Sequence, residues 1–131
     1  MPTGRKSLTF KQTIVNGNNI QEVETVVTGD QLIEIEVTLD ASTSPQEIET
    51  LFKKDNVVAC SLHCTRATTL KTNDSGTPDD TIALVANTMR PYYDGNGTNP
   101  FATADVETLY AVQAANTATA VLTVRILLDT P

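Results

Sequence analysis

The chain has 131 residues, enough for one domain around one core, and its 40% hydrophobic content is ordinary for a globular fold. Nine basic against sixteen acidic residues leave a net charge of −7, and the basic residues form no stripe; such a surface repels phosphate backbones and argues against nucleic-acid binding. Three Tyr, three Phe and no Trp make a sugar-stacking surface poor, and no apolar run is long enough to cross a bilayer as a helix.

The opening Met1-Pro2-Thr3-Gly4-Arg5-Lys6 carries no apolar stretch or cleavage pattern of a signal peptide, so synthesis in a reducing cytoplasm is expected. Residues 1 to 7 read as a short flexible arm. Alternation of period two begins immediately afterwards and dominates the chain. A first strand runs from Leu8 to Val15, Asn16-Gly17 supplies a tight turn, and a more polar strand covers Ile20 to Thr28. Gly29-Asp30 turns the chain into a third strand, with Ile33, Ile35, Val37 and Leu39 on one face and Glu34, Glu36 and Thr38 on the other. Ser44-Pro45-Gln46-Glu47 has capping-box order and predicts one short helix near 45–54, with Ile48, Leu51 and Phe52 on one face as a lid. Strands resume at Val57–Thr65, Thr68–Thr72, Thr81–Ala86 and around Met89–Tyr93. A long loop, Asp94–Ala104, precedes strands at Val106–Ala114 and Ala118–Leu128.

Seven or eight strands joined mostly by short turns predict a single all-β domain over residues 1–131. It is a two-sheet sandwich, either a jelly roll or an immunoglobulin-like Greek key. The strand Val121–Leu128 is apolar on both faces, because Val121 and Leu127 oppose Leu122, Val124, Ile126 and Leu128. It therefore needs cover from the lid, a loop or another subunit, and Val121 and Leu127 are candidate oligomer contacts.

Chemical motifs are thin. Glu34 and Glu36 lie about 6.6 Å apart along a strand, near a glycosidase spacing, but they alternate with core residues and so face water. Cys60 and Cys64 sit roughly 13 Å apart along one strand face, beyond disulfide reach. His63 points away from both, and no other Cys or His exists to complete a zinc site. Asp94-Gly95-Asn96-Gly97-Thr98 resembles the start of a calcium loop, but Asn99 stands where glycine is expected, so a bent surface loop is the better reading. No cofactor, metal or catalytic residue is assigned, and the chain is read as a non-enzyme.

The C-terminal half carries a resemblance. Pro78-Asp79-Asp80-Thr81, then Asn99-Pro100-Phe101-Ala102-Thr103-Ala104-Asp105-Val106, and finally the run from Ala118 to Asp129 resemble small β-sandwich structural proteins of tailed bacteriophages. The resemblance implies a virion protein of the capsid decoration type, with tail or connector subunits as relatives in function. Its partner would be the major capsid protein, and it would join as a trimer or dimer, made in the host cytoplasm and carried in the virion. Arg5 and Lys6, a basic pair on an acidic chain, are the first candidate contacts with such a partner. The long loop adds Asp94, Asn96, Asn99 and Phe101. The rivals are a free carbohydrate-binding or adhesion module using Tyr92 and Tyr93, and a small hydrolase using Asp or Glu pairs.

Overall fold

The structure is a computed structural model that describes residues 6–16, 19–93 and 97–130, with the backbone alone for 11–16 and 19–23. Ten strands follow one another: β1 (Lys6–Asn16), β2 (Asn19–Gly29), β3 (Gln31–Leu39), β4 (Gln46–Phe52), β5 (Val57–Cys64), β6 (Thr68–Thr72), β7 (Thr81–Leu84), β8 (Arg90–Tyr93), β9 (Val106–Gln113) and β10 (Ala120–Leu128). The helical content among the described residues is a single 3-10 turn at Lys54–Asn56.

Eight of these strands form two four-stranded sheets, ordered β3-β10-β5-β8 and β4-β9-β6-β7. Every pairing is antiparallel, and β3 pairs β10, β4 pairs β9, β5 pairs β8 and β6 pairs β7. This nested first-with-last order is a long hairpin rolled up on itself. It makes the sandwich a jelly roll and decides against the immunoglobulin-like alternative. Alternation supplies the core between the sheets: Leu39, Ile48, Phe52, Leu62, Leu70, Ile82, Leu109, Leu122, Val124 and Ile126 all point inward and are buried. Glu34 and Glu36 are exposed on the outer side of β3, as their alternation requires.

The expected lid helix is instead an edge strand. Gln46, Ile48 and Phe52 pair with Ala111, Leu109 and Val106 of β9, so the backbone of residues 46–52 bonds outward to a sheet. Ile48 and Phe52 are an even number of residues apart and share a strand face as readily as a helical one. The residue that separates the two readings is Leu51, which a helix would bury and which is 74% exposed here. Ser44 caps nothing: its N–H donates to Ser42 Oγ, 3.0 Å away. The corner is held by Gln46, whose side chain accepts from the Asp40 N–H at 2.8 Å and donates to the Asp40 carbonyl at 3.3 Å. A two-and-a-half-turn helix is marginal alone, and a ladder to β9, shifted in register between Glu49 and Phe52, wins.

β1 and β2 stand apart as a two-stranded ribbon, registered from Lys6↔Gly29 to Asn16↔Asn19. Lys6 and Ser7, expected in a flexible arm, already belong to β1. The ribbon crosses the outer face of the β3-β10-β5-β8 sheet. Leu32, Leu127, Ala59 and Tyr93 are register partners in one row across all four strands of that sheet. Leu8, Phe10 and Val27 of the ribbon pack on this row, with the Phe10 and Tyr93 rings 4.7 Å apart. Gly29 is the pivot: a Cβ there would lie 2.4 Å from the Leu128 carbonyl oxygen and 3.0 Å from Leu127 Cγ, so a side chain has no room. Beside it, the Asp30 N–H donates to the Leu128 carbonyl at 2.9 Å, and the Thr130 N–H and hydroxyl donate to the Asp30 carboxylate.

Candidate partner-binding surfaces

Several polar residues of the 73–80 and 99–105 loops are occupied in shaping the fold. Asn73, at φ 67°, adopts the left-handed backbone that Asn tolerates. Its Nδ2 donates to Asp79 Oδ2 at 2.7 Å and to the Asp105 carbonyl at 2.8 Å, and its Oδ1 accepts from the N–H groups of Glu107 and Thr108. The Asp80 carboxylate accepts from the Thr103 N–H at 3.1 Å and the Thr103 hydroxyl at 2.6 Å. Asp74 accepts from the N–H groups of Gly76 and Thr77, and these hold its carboxyl below the usual range. The acidic pair Asp79-Asp80 thus braces two loops.

The Asn99-Pro100-Phe101 segment is likewise internal. Asn99 Oδ1 accepts from the Phe101 N–H at 3.0 Å, its Nδ2 donates to the Lys54 carbonyl at 3.2 Å, and the Lys54 N–H donates to Asp105 Oδ1 at 3.0 Å. This folds Phe101 inward, where it is 0% exposed and stands edge-on to Phe52 with ring centroids 5.1 Å apart. Phe101 therefore cannot serve as the partner contact expected of it, and the Asn99 side chain is committed to the loop. The sequence pattern missed this because an apolar residue flanked by Asn, Pro and Thr reads equally as an exposed tip and as a plug. Arg5, Asp94 and Asn96, together with the turn residues Gly17 and Asn18, lie outside the described residues. Lys6 is exposed at the start of β1.

Cys60 and Cys64 are free and buried on the inward face of β5, with Cys64 Sγ 3.3 Å from the Thr68 hydroxyl. Burial pushes the Cys60 thiol up to about 12, against a smaller opposing pull from Arg90. His63 is half-buried on the opposite face, opposite Thr123 of β10. Among the described residues, no three of His, Cys, Asp and Glu gather to hold a metal ion. The proposed sugar platform is also absorbed: Tyr92 packs on the main core, and Tyr93 lies under the ribbon.

The two-sided apolar strand has its explanation inside the chain. Leu127 is 0% exposed because the ribbon covers it, so it is not an oligomer contact. Val121, six residues back along the same face, is half-buried.

Among the described residues, one sheet face is open to a partner. It is the outer face of the β4-β9-β6-β7 sheet, where cross-strand rows set Val112 beside Thr69 and Ala83, and Tyr110 beside Lys71. Thr69, Lys71, Thr108, Tyr110 and Val112 are half-buried and Ala83 is exposed, so short side chains predominate on this face, with Lys71 and Tyr110 among them. Its rim beside β4 is acidic, with Glu47, Glu49 and Glu107 exposed. No protein-family model, curated protein or solved structure matches the chain.

Proposed function

We propose that the chain is a non-enzymatic structural protein of a bacteriophage virion, a capsid decoration subunit that seats on the major capsid protein and steadies the shell. It would be made in the host cytoplasm and carried on the particle. The observation that supports this reading is the open outer face of the β4-β9-β6-β7 sheet, whose rows of Thr69, Ala83 and Val112 and of Lys71 and Tyr110 suit broad contact with a repeated surface. Individually weak seats become firm when many copies are held side by side. The jelly roll adds support only by analogy, since capsid proteins and lectins both use it. Within that analogy a lectin is disfavoured, because Tyr92 and Tyr93 are occupied in packing. Exposed Lys6, with Arg5 before it, would add a salt-sensitive contact to an acidic shell.

Co-sedimentation with undecorated shells tests the reading. The chain should bind saturably, in fixed ratio to the major capsid protein. Val112→Glu should abolish binding while the melting temperature stays near that of the parent, since surface substitutions usually change stability by no more than about 0.5 kcal/mol. Binding to tails or connectors instead of shells would move the subunit to that part of the virion. A saturable glycan ligand with no binding to any virion part would overturn the proposal.

A further inference from the structure

The core of the sandwich is open along one seam. β3 and β4 are edge strands of the two facing sheets, joined by the short corner between Leu39 and Gln46. At the far end of the pair a hollow of about 500 Å³ is lined by Gln31 of β3, by Leu51 and Phe52 of β4, and by Leu128. Along β3 the inward side chains Ile33, Ile35 and Val37 pack on the core yet are only half-buried, whereas Ile48 and Phe52, the inward residues of β4, are buried. β3 therefore overhangs β4, and its apolar face looks onto the space where a further strand beside β4 would lie. The opposite seam is closed: Ile82 and Leu84 of β7 are buried, and Arg90 Nη1 of β8 donates across it to the Ala83 carbonyl at 3.4 Å. On the outward side of β4, Glu47 and Glu49 are exposed opposite Tyr110 and Thr108 of β9, and Leu51 stands in water beyond them. The base in the Glu47 row, Lys71, is separated from it by Tyr110.

We propose that the β4 edge takes an extended segment of a partner protein as a further strand of its sheet. The segment turns apolar side chains in onto Ile33, Ile35 and Val37, and turns lysine or arginine out beside Glu47 and Glu49. Main-chain bonds to the free edge hold such a strand, and its alternate side chains supply the specificity. Charge selects a partner over a second copy of the chain. Two β4 edges paired about a two-fold axis at residue 47, 48 or 49 set Glu against Glu, which is destabilising. The other free edges bring no matching pair of bases. β3 carries Glu34 and Glu36, and β7 carries Thr81 and Ala83. Arg90 of β8 is turned toward β7, and Pro91 after it has no N–H to pair. β1 offers Lys6 alone among its described side chains. Charge on an edge guards it against its own kind, and here it leaves the apolar seam open to a strand of opposite charge. Seam and edge carry this inference without the capsid reading, and shells take no part in its test.

The test uses the full chain and end-blocked peptides of seven residues, the length of β4. One peptide alternates valine with lysine, a second alternates valine with glutamate, and a third is the lysine peptide with alternate amides N-methylated. By fluorescence anisotropy the lysine peptide should bind about tenfold more tightly than the glutamate peptide, because two opposite-charge pairs replace two like-charge ones, and the N-methylated peptide should not bind. Amide exchange of the bound chain should slow at alternate residues of β4. The double variant Glu47→Lys with Glu49→Lys should keep the parent's melting temperature and reverse the preference between the two peptides. Glu34→Gln with Glu36→Gln, on the neighbouring edge, should leave the affinity near the parent's. No binding of the lysine peptide at millimolar concentration, equal affinity for both charged peptides, or binding that survives N-methylation would each overturn the proposal. So would a lysine peptide that binds the Glu47→Lys, Glu49→Lys variant as tightly as the parent, or a peptide-free chain whose own copies pair through β4.

Discussion

Phe101 shows how much of this fold rests on single side chains. It fills the space beside Phe52 and is steered there by one hydrogen bond from its own N–H to Asn99. Phe101→Ala should cost about 3–5 kcal/mol, read from the urea midpoint, and a loss below about 1 kcal/mol would mean the loop does not anchor as described. Asn73 is the polar counterpart. Its amide serves four partners, so Asn73→Ala strands several of them and should destabilise by about 2 kcal/mol or more in the same assay. The buried Cys60 thiol makes a prediction about pH. Unfolded cysteine ionises from about pH 8.5, while the folded Cys60 thiol stays neutral up to about 12. Between those values the native state holds the extra proton, so its contribution is complete below the window and falls as pH rises through it. Urea midpoints should drop across that range, and Cys60→Ser should flatten this part of the fall. None of these roles was legible from residue type. The sequence pattern did place the two cysteines together on a buried face, because their even spacing survives in any strand.

At the scale of elements, periodicity recovered most strands to within two residues and failed where two periods coincide. Ile48 and Phe52 satisfy both a helix and a strand, and the Ser-Pro-Gln-Glu signal tipped the reading toward a helix. What the local signal lacked was the partner, β9, sixty residues away. The strand makes its own predictions. Leu51→Glu should leave stability nearly unchanged, and Ser44→Ala should be neutral within about 0.5 kcal/mol; a helix would lose about 1 kcal/mol with its cap. Thermal melts of the two variants decide it. Gly29 is the opposite case, a small residue that looked like a simple turn and is the point where ribbon and sheet touch. Gly29→Ala drives a methyl into the Leu128 carbonyl and should lift the ribbon from its row. Faster amide exchange at Leu127 and Ala59, with the main core still protected, is the expected result.

For the molecule as a whole, the two-sheet sandwich was legible from alternation and turn spacing, whereas the choice of jelly roll was not. Which strand lies beside which is a non-local fact, and β3 meeting β10 joins residues some ninety positions apart. The cover over Leu127 was half legible: strand 121–128 declared that something must lie on its second face, without saying that the first thirty residues supply it. That arrangement has a consequence in time. β10 lies between β3 and β5 in its sheet and forms part of the floor beneath the ribbon, yet it follows both neighbours in the chain. As the polypeptide leaves the ribosome, β1 and β2 can zip together early, because their contacts are local. They have no complete floor until synthesis has passed Leu128. Folding should therefore be slow, in keeping with its long-range pairings, with ribbon docking among its last events. In refolding experiments, the near-ultraviolet dichroism contributed by the Tyr93–Phe10 contact, isolated by comparison with a Phe10→Leu variant, should lag behind formation of the sandwich core.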